Sequence, residues 1–429
     1  MGQFYWPKLG QNKWPLTEGI SAKLPFFLQS GDITTPFINQ ERMSCVPESE
    51  WVRYPKGRIS AGELLIEVKG KAEKVAVVPD DFPERTLVTG TCFKLTTREE
   101  WQRSLLLAYL TGKYGKILKD RLKTNLLVSY IAKGDLYRIP VPNLGRSLTS
   151  KIHSLIQLSL ATRNEVLRAS ERADAALVSA LGLGDWTPPE PLSYSARASD
   201  ALAAGRLDAQ YFMPAKEQVK QALGALPGQP LGNRVDSIRD MFVPDRTPPE
   251  KLVRNYDVTD ALVPLLDAEK EPQAAGEIGS VKKTLKDGDV AISRLRAYLK
   301  EVAVVRTGDD IPSVGSSEFI VLRPKAGQAD ISPETLMVFL RATPAQSILK
   351  WCQDGSQHPR FSEGDLLSIP VPDAVAGVSG QITTIVQEGF AARHKARQLL
   401  EAAKCAVEIA IEDGEDAAMT FLDEAEGAE

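Results

Sequence analysis

Residues Lys133–Pro142 read Lys-Gly-Asp-Leu-Tyr-Arg-Ile-Pro-Val-Pro, and Glu363–Pro372 read Glu-Gly-Asp-Leu-Leu-Ser-Ile-Pro-Val-Pro, the same phrase 230 positions apart. A turn leading into a short strand needs no such agreement, since many residue combinations satisfy it. Agreement at this distance points to two copies of something larger, and the sequence around each copy carries the rest.

Working backwards, Glu73–Val78 (EKVAVV) matches Lys300–Val305 (KEVAVV), and Gly62–Ile66 (GELLI) matches Gly288–Ile292 (GDVAI). Between these and the shared phrase, Gly90–Thr96 (GTCFKLT) faces Ser316–Pro324 (SSEFIVLRP), and Leu105–Leu110 (LLLAYL) faces Thr335–Leu340 (TLMVFL). The start of the chain has its own echo, Gln3–Pro7 (QFYWP) against Gln210–Pro214 (QYFMP). The order of segments is the same in both halves.

The repeat also runs forwards. Ile152, Ile156, Gln157, Ala161 and Arg163 fall on Ile382, Val386, Gln387, Ala391 and Arg393 at the constant offset of 230. In both segments apolar residues recur at i, i+3, i+4 and i+7, the spacing of one helix face. Each predicted helix spans roughly 30 to 35 residues, about 45 to 50 Å at 1.5 Å per residue. A narrow apolar seam on so long a helix needs a partner helix. Two ordinary bundle helices would show the same seam; the duplication favours pairing with each other, antiparallel, about a pseudo-twofold. The proline-rich stretch Gly184–Ser195 ends the first half.

Composition narrows the class. With 43% hydrophobic and 25% charged residues in 429, the chain is of ordinary globular type and long enough for two or three domains. No apolar run approaches a membrane span and the N-terminus lacks a secretory layout, so a cytoplasmic chain with no membrane partner is expected. Cys45, Cys92, Cys352 and Cys405 form no CxxC, and His153, His358 and His394 stand apart, which argues against structural zinc, other metal sites and a disulfide framework. The net charge of -4 is uneven: Glu412–Glu429 holds eight acids and no base, and the remainder is positive by four. This end is expected to be a flexible acidic tail.

Two copies of a domain on a paired-helix spacer would act as a ruler, and duplex DNA offers sites at fixed spacing. Two basic runs support this, Val281–Lys300 and Gly112–Lys123, each with a net charge of +4. Such runs supply phosphate contacts, while Arg, Gln, Asn and Ser read base edges.

The ordered segments GDVAISR, KEVAVV, SSEFIVLRPK and GSQHPRFSEGDLLSIPVP, with the long amphipathic helix after them and Arg206–Pro214 (RLDAQYFMP) before them, resemble a target recognition domain and spacer helix of the specificity subunits of type I restriction-modification systems. The resemblance is strong over 206–411 and weaker over 1–181. It implies an α+β fold: two tandem mixed α/β target recognition domains, each followed by a long helix, the two helices forming an antiparallel coiled coil. The boundaries are a shortened first recognition domain at 1–143, spacer helix 144–183, linker 184–205, second recognition domain 206–373, spacer helix 374–412 and acidic tail 413–429. The implied function is non-catalytic: defence against foreign DNA by reading a bipartite double-stranded target. Partners would be two adenine-N6 methyltransferase (modification) subunits, with motor-nuclease (restriction) subunits joining them. This chain would bind no cofactor, with S-adenosylmethionine, ATP and Mg held by the partners; neither an Asn-Pro-Pro-Tyr motif nor a phosphate loop occurs here.

Candidate DNA-binding residues in the second domain are Ser293, Arg294, Arg296 and Lys300 after a predicted strand, with Gln357, His358 and Arg360 in the loop before the shared phrase. A surface ion pair is the plain alternative for Arg360. In the first domain the candidates are Lys69, Lys71 and Lys74, with Lys123, Thr124 and Asn125. The subunit interface is assigned to Ile152, Ile156, Leu160, Ile382, Val386, Phe390 and Leu400. From Pro7 to Asp32 is 25 residues, whereas from Pro214 to Asp260 is 46, so the first domain is shorter at its start. Two other readings stay open. Glu67-Val68-Lys69 resembles the ExK half of PD-(D/E)xK nucleases, in which carboxylates hold a metal and lysine assists water attack. A decoy, or a recognition subunit recruited by another defence complex, would carry the same scaffold.

Overall fold

A computed structural model describes residues 14–15, 24–40, 43–124, 129–325, 327, 330–355 and 357–427. The chain divides into two compact units, one formed by 1–166 with 391–429 and the other by 167–390. The mixed α/β architecture expected from the sequence is what forms.

The first unit carries strands β1 (Phe26–Leu28), β2 (Leu64–Glu67), β3 (Val75–Val77), β4 (Thr86–Val88) and β5 (Cys92–Leu95), then helices α1 (Glu100–Thr111), α2 (Lys113–Arg121) and α3 (Lys133–Leu136). The long helix α4 (Arg146–Ala180) leads onward. The second unit's principal elements are α5 (Pro214–Ala225), β6 (Gly228–Pro230), β7 (Leu252–Tyr256), β8 (Lys282–Leu285), β9 (Val290–Ser293), β10 (Val302–Arg306), β11 (Ser313–Gly315), β12 (Phe319–Pro324), α6 (Pro333–Arg341), α7 (Thr343–Cys352), α8 (Glu363–Leu367) and β13 (Pro370–Pro372). Helices α9 (Ser379–Glu412) and α10 (Glu415–Gly427) close the chain.

The sequence repeat is a repeat of strand pairing. In the first unit β2 lies antiparallel between β3 and β5, with Leu64 opposite Val77 and Leu95. In the second, β9 lies antiparallel between β10 and β12, with Val290 opposite Val304 and Leu322. The parallel pair recurs too, β1 with β4 (Phe27 opposite Leu87) and β7 with β11 (Asn255 opposite Val314). Both central strands are buried on both faces, which their unbroken apolar runs require. Each is entered through a glycine with positive φ, Gly62 at 77° and Gly288 at 80°. There an acid receives the turn's N–H: Ser60 donates to Glu63 Oε2 at 2.9 Å, and Lys286 to Asp289 Oδ2 at 2.8 Å. The aligned Asp32 and Asp260 likewise take the N–H of Gln29 and Asp257.

The repeated phrase folds as one turn of helix with two apolar anchors. In α3 Leu136, then Ile139, enter the core; in α8 the same is done by Leu366 and Ile369. Ser362 caps α8, accepting from Asp365 N at 3.0 Å. The proline step stops the turn and redirects the chain towards a long helix. After α8 the Pro-Val-Pro pairs with β6 and Val371 is buried; after α3 no strand partner for Val141 is found among the described residues, and Val141 is exposed.

Within each unit a stretch of α4 packs against a stretch of α9. In the first unit Ile152 and Ile156 share a core with Leu400, Ala403 and Val407, and Ser159 Oγ donates to Ala396 O at 2.6 Å. In the second, Ala169, Ala173 and Leu177 share a core with Ile382, Ile385 and Val386, and Arg172 pairs with Glu388 at 3.0 Å. The interface residues named from sequence therefore face their own chain: Ile152, Ile156, Ile382, Val386 and Leu400 are buried there, with Leu160 and Phe390 packed against the same cores. A second chain would have to use other faces of these helices.

Two expectations are corrected. The acidic end is a packed helix: in α10 Ala418 and Leu422 are buried in the first unit's core, and Gly145 N donates to both Glu415 oxygens at 2.9 Å. Its acids suit it, because Glu415 and Asp416 sit in the first turn, at the positive end of the helix dipole. The expected linker also contains a short helix, Ala198–Ala204.

Candidate nucleic-acid interface

Beyond the end of β9 three segments are laced together by backbone bonds. Arg294 N donates to Glu318 O (3.1 Å), Phe361 N to Arg294 O (3.1 Å) and Arg296 N to Pro359 O (2.8 Å). Asp354 and Arg360 exchange both of their backbone bonds at 2.8 Å. The same lacing stands at the end of β2: Val68 N to Thr91 O (2.8 Å), Ile131 N to Val68 O (2.8 Å), Gly70 N to Ser129 O (2.9 Å) and Thr124 N to Tyr130 O (3.1 Å). Phe361 and Ile131 are the buried pegs of the two frames.

The frame is shared but its side chains are not. Where the second unit has Arg294, Arg296, Glu318 and Arg360, the first has Val68, Gly70, Thr91 and Tyr130. Arg296 and Gly70 both adopt positive φ, 51° and 75°. Glycine takes that conformation freely, whereas an arginine there costs about 1 kcal/mol. Lys300, with φ of 52°, is a second such residue, and Arg341 clamps its loop from below by donating to Lys300 O (2.7 Å) and Val302 O (3.0 Å).

In the second unit Arg294 Nε donates to Glu318 Oε2 at 2.9 Å, and Arg360 holds the same carboxylate through Nε (3.0 Å) and Nη2 (2.6 Å). Arg360 Nη1 donates to His358 O at 3.0 Å, and Arg296 Nη2 lies 3.0 Å from His358 Nδ1. Hydrogen bonds from Arg360, then those from Arg294, pull the Glu318 carboxyl down to about 2. Arg294, Gln357, His358 and Tyr298 are exposed. Ser293 is buried, and its hydroxyl accepts from Leu295 N at 3.2 Å, so it shapes the turn.

The structure thus brings Arg294, Arg296, His358 and Arg360 together with Glu318 and places Arg360 in an ion pair. Glu318 was not foreseen from sequence; the only signal was an acid just ahead of a predicted strand. In the first unit Lys69 bridges Tyr130 through the backbone, Lys71 is exposed and Lys74 Nζ donates to Ser30 O at 2.8 Å. Lys123 pairs with Asp120, Thr124 opens the loop, and Asn125 lies outside the described residues.

The basic run Gly112–Lys123 is corrected. Lys113, though exposed, pairs with Glu412 at 2.8 Å, and Lys119 is buried with Nζ donating to Glu73 O at 3.3 Å, while Lys116 and Arg121 are exposed. Burial pushes the Lys119 ammonium down to about 8. Glu67 is equally internal: it is buried and accepts from Glu73 N (3.2 Å) and Lys74 N (3.4 Å), closing the β2–β3 connection. Among the described residues no group of three His, Cys, Asp or Glu is placed to share a metal ion.

Compared with known proteins, the chain matches no family model and no curated protein. Among solved structures it is similar to a type I restriction-modification system S subunit from M. genitalium, at 10% identity and a TM-score of 0.37, over 94% of this chain and 91% of that one. It is also similar to a chain from a structure of complex assembly and conformational transition of the type I R-M system, at 14% identity and a TM-score of 0.29, over 96% and 98%. At these scores neither likeness bears on the chemistry of the loops, which rests on this chain's own geometry. No helix among the described residues is long and apolar enough to cross a membrane.

Proposed function

We propose that the chain is the DNA-recognition (specificity) subunit of a type I-like restriction-modification complex, its two target recognition domains each reading half of a bipartite duplex target. The observation that carries this reading is one backbone frame built twice with different side chains on it. A repeated structural part would keep both frame and side chains; two readers of different sequences keep the frame and change what it presents. The arginine held at a kink where the other copy has Gly70 supports the same conclusion, because the shared backbone position presents a cation in one copy and no side chain in the other.

On this reading the paired helices form an antiparallel coiled coil that fixes the gap between half-sites. The chain is non-catalytic and binds no cofactor. Two adenine-N6 methyltransferase subunits dock on outward faces of α4 and α9, since the seam is covered, and they hold the S-adenosylmethionine. Motor-nuclease subunits bring ATP and Mg. The test is co-expression with an adenine-N6 methyltransferase subunit of the same genome, followed by mapping N6-methyladenine. A split motif with a constant gap supports the proposal, and stable co-purification without any methylation overturns it.

A further inference from the structure

A carboxylate at the centre of a DNA-facing loop is anomalous, because it repels phosphates and neutralises cations that would otherwise attract them. Glu318 occupies that place with its side chain 24% exposed, between Arg294 at 46% and Arg360 at 41%. The duplication supplies an internal control. At the same three backbone positions the first unit carries Val68, Thr91 and Tyr130, a neutral set with no cation to hold. Acid and arginines are present together in one copy and absent together in the other.

The nitrogens divide the labour. Arg360 has Nε and Nη2 on Glu318 and Nη1 on His358 O, so all three nitrogens are engaged within the protein. Arg294 gives only Nε to the carboxylate, and its two terminal nitrogens project from an exposed side chain. That is the end-on fork that matches the O6 and N7 acceptors of guanine in the major groove.

We infer that Glu318 is a specificity-determining positioning residue, orienting Arg294 as a guanine reader with Arg360 as its buttress, and that the half-site read by the second unit contains a guanine that the first unit's neutral set does not demand. This rests on the DNA-reading proposal above. It also gives Arg360 a supporting role instead of the direct base contact expected from sequence.

The test uses the full chain, a randomised duplex pool for selection, and then the enriched duplex and a scrambled duplex in anisotropy titrations over a range of salt. For Glu318→Gln the guanine preference falls roughly tenfold or more, the loss of one oriented bidentate contact. Affinity for scrambled duplex rises, with a salt slope steeper by about one, because the released guanidiniums reach phosphates. Arg360→Gln gives the same loss of preference without the rise. An unchanged motif for Glu318→Gln overturns the inference, as does parallel loss of enriched and scrambled binding, which marks a merely structural role. If the wild-type chain enriches no motif, the DNA-reading proposal fails first and takes this one with it; a wild-type motif left intact by Glu318→Gln refutes this one alone.

Discussion

Replacing Leu422 by alanine tests whether the acidic C-terminal stretch is part of the first unit's core. Leu422 is 1% exposed and shares a cluster with Leu148, Ile152 and Val407. Removing a buried leucine side chain costs about 2 to 5 kcal/mol, the spread reflecting how far the surroundings collapse into the space. Leu422 lies in the chain's last helix, which can shift, so the lower half of that range applies and about 3 kcal/mol is expected. A single melting temperature is a poor readout for a chain of two units. Native-state hydrogen exchange reports each region separately, and amides of α10 and of residues 146–156 should lose protection corresponding to about 3 kcal/mol while β9 and β10 keep theirs. The exposed Glu424→Ala serves as control, with a change within about 0.5 kcal/mol. Fast exchange throughout α10 in the wild type, or a Leu422→Ala effect no larger than the control, would restore the flexible acidic tail.

Lys119→Met should stabilise the first unit at neutral pH. With the folded value near 8 against an ordinary 10.5, the native state carries a penalised charge below pH 8, and stability rises with pH between 8 and 10.5 as the native lysine stays neutral while the unfolded one still binds a proton. The gain, about 1 to 2 kcal/mol at pH 7 after losing the bond to Glu73 O, shrinks across that window in urea titrations; a pH-independent or negative effect refutes the assignment. Glu67→Ala should destabilise by about 1 to 3 kcal/mol by stranding the N–H groups of Glu73 and Lys74. Magnesium-dependent nicking of plasmid by the wild-type chain that disappears in Glu67→Gln would instead revive the nuclease reading. Carbon-detected titration of Glu318 should show it ionised down to about pH 2, and a midpoint at the ordinary 4.5 would mean the two guanidiniums are not on it in solution.

The recurring strand pairings were legible because their signals are local and apolar. Leu136 with Ile139, and Leu366 with Ile369, are anchors that a short phrase encodes by itself, and the strand pairs follow from runs such as VAVV that stay buried on both faces. The long helices showed their seam through simple periodicity, but whether another chain or their own partner covers it depends on packing that periodicity does not specify. Charge was the less reliable guide. Lys119 reads as one more cation in a basic run until α2 turns it inward, and the acids of α10 hid the i, i+4 pair Ala418 and Leu422. The site was legible on its arginines, since residues 294–300 and 357–360 each carry an evident cluster. Glu318 was not, because it meets Arg294 and Arg360 only through the lacing of three distant segments.

The central claim, two different readers built on one frame, is tested most directly by selection of the full chain against a randomised duplex pool. The account predicts an enriched motif in two specified parts separated by a gap of constant length and free sequence, with a guanine in one part that depends on Arg294. A single contiguous motif, or two parts at variable spacing, would contradict it.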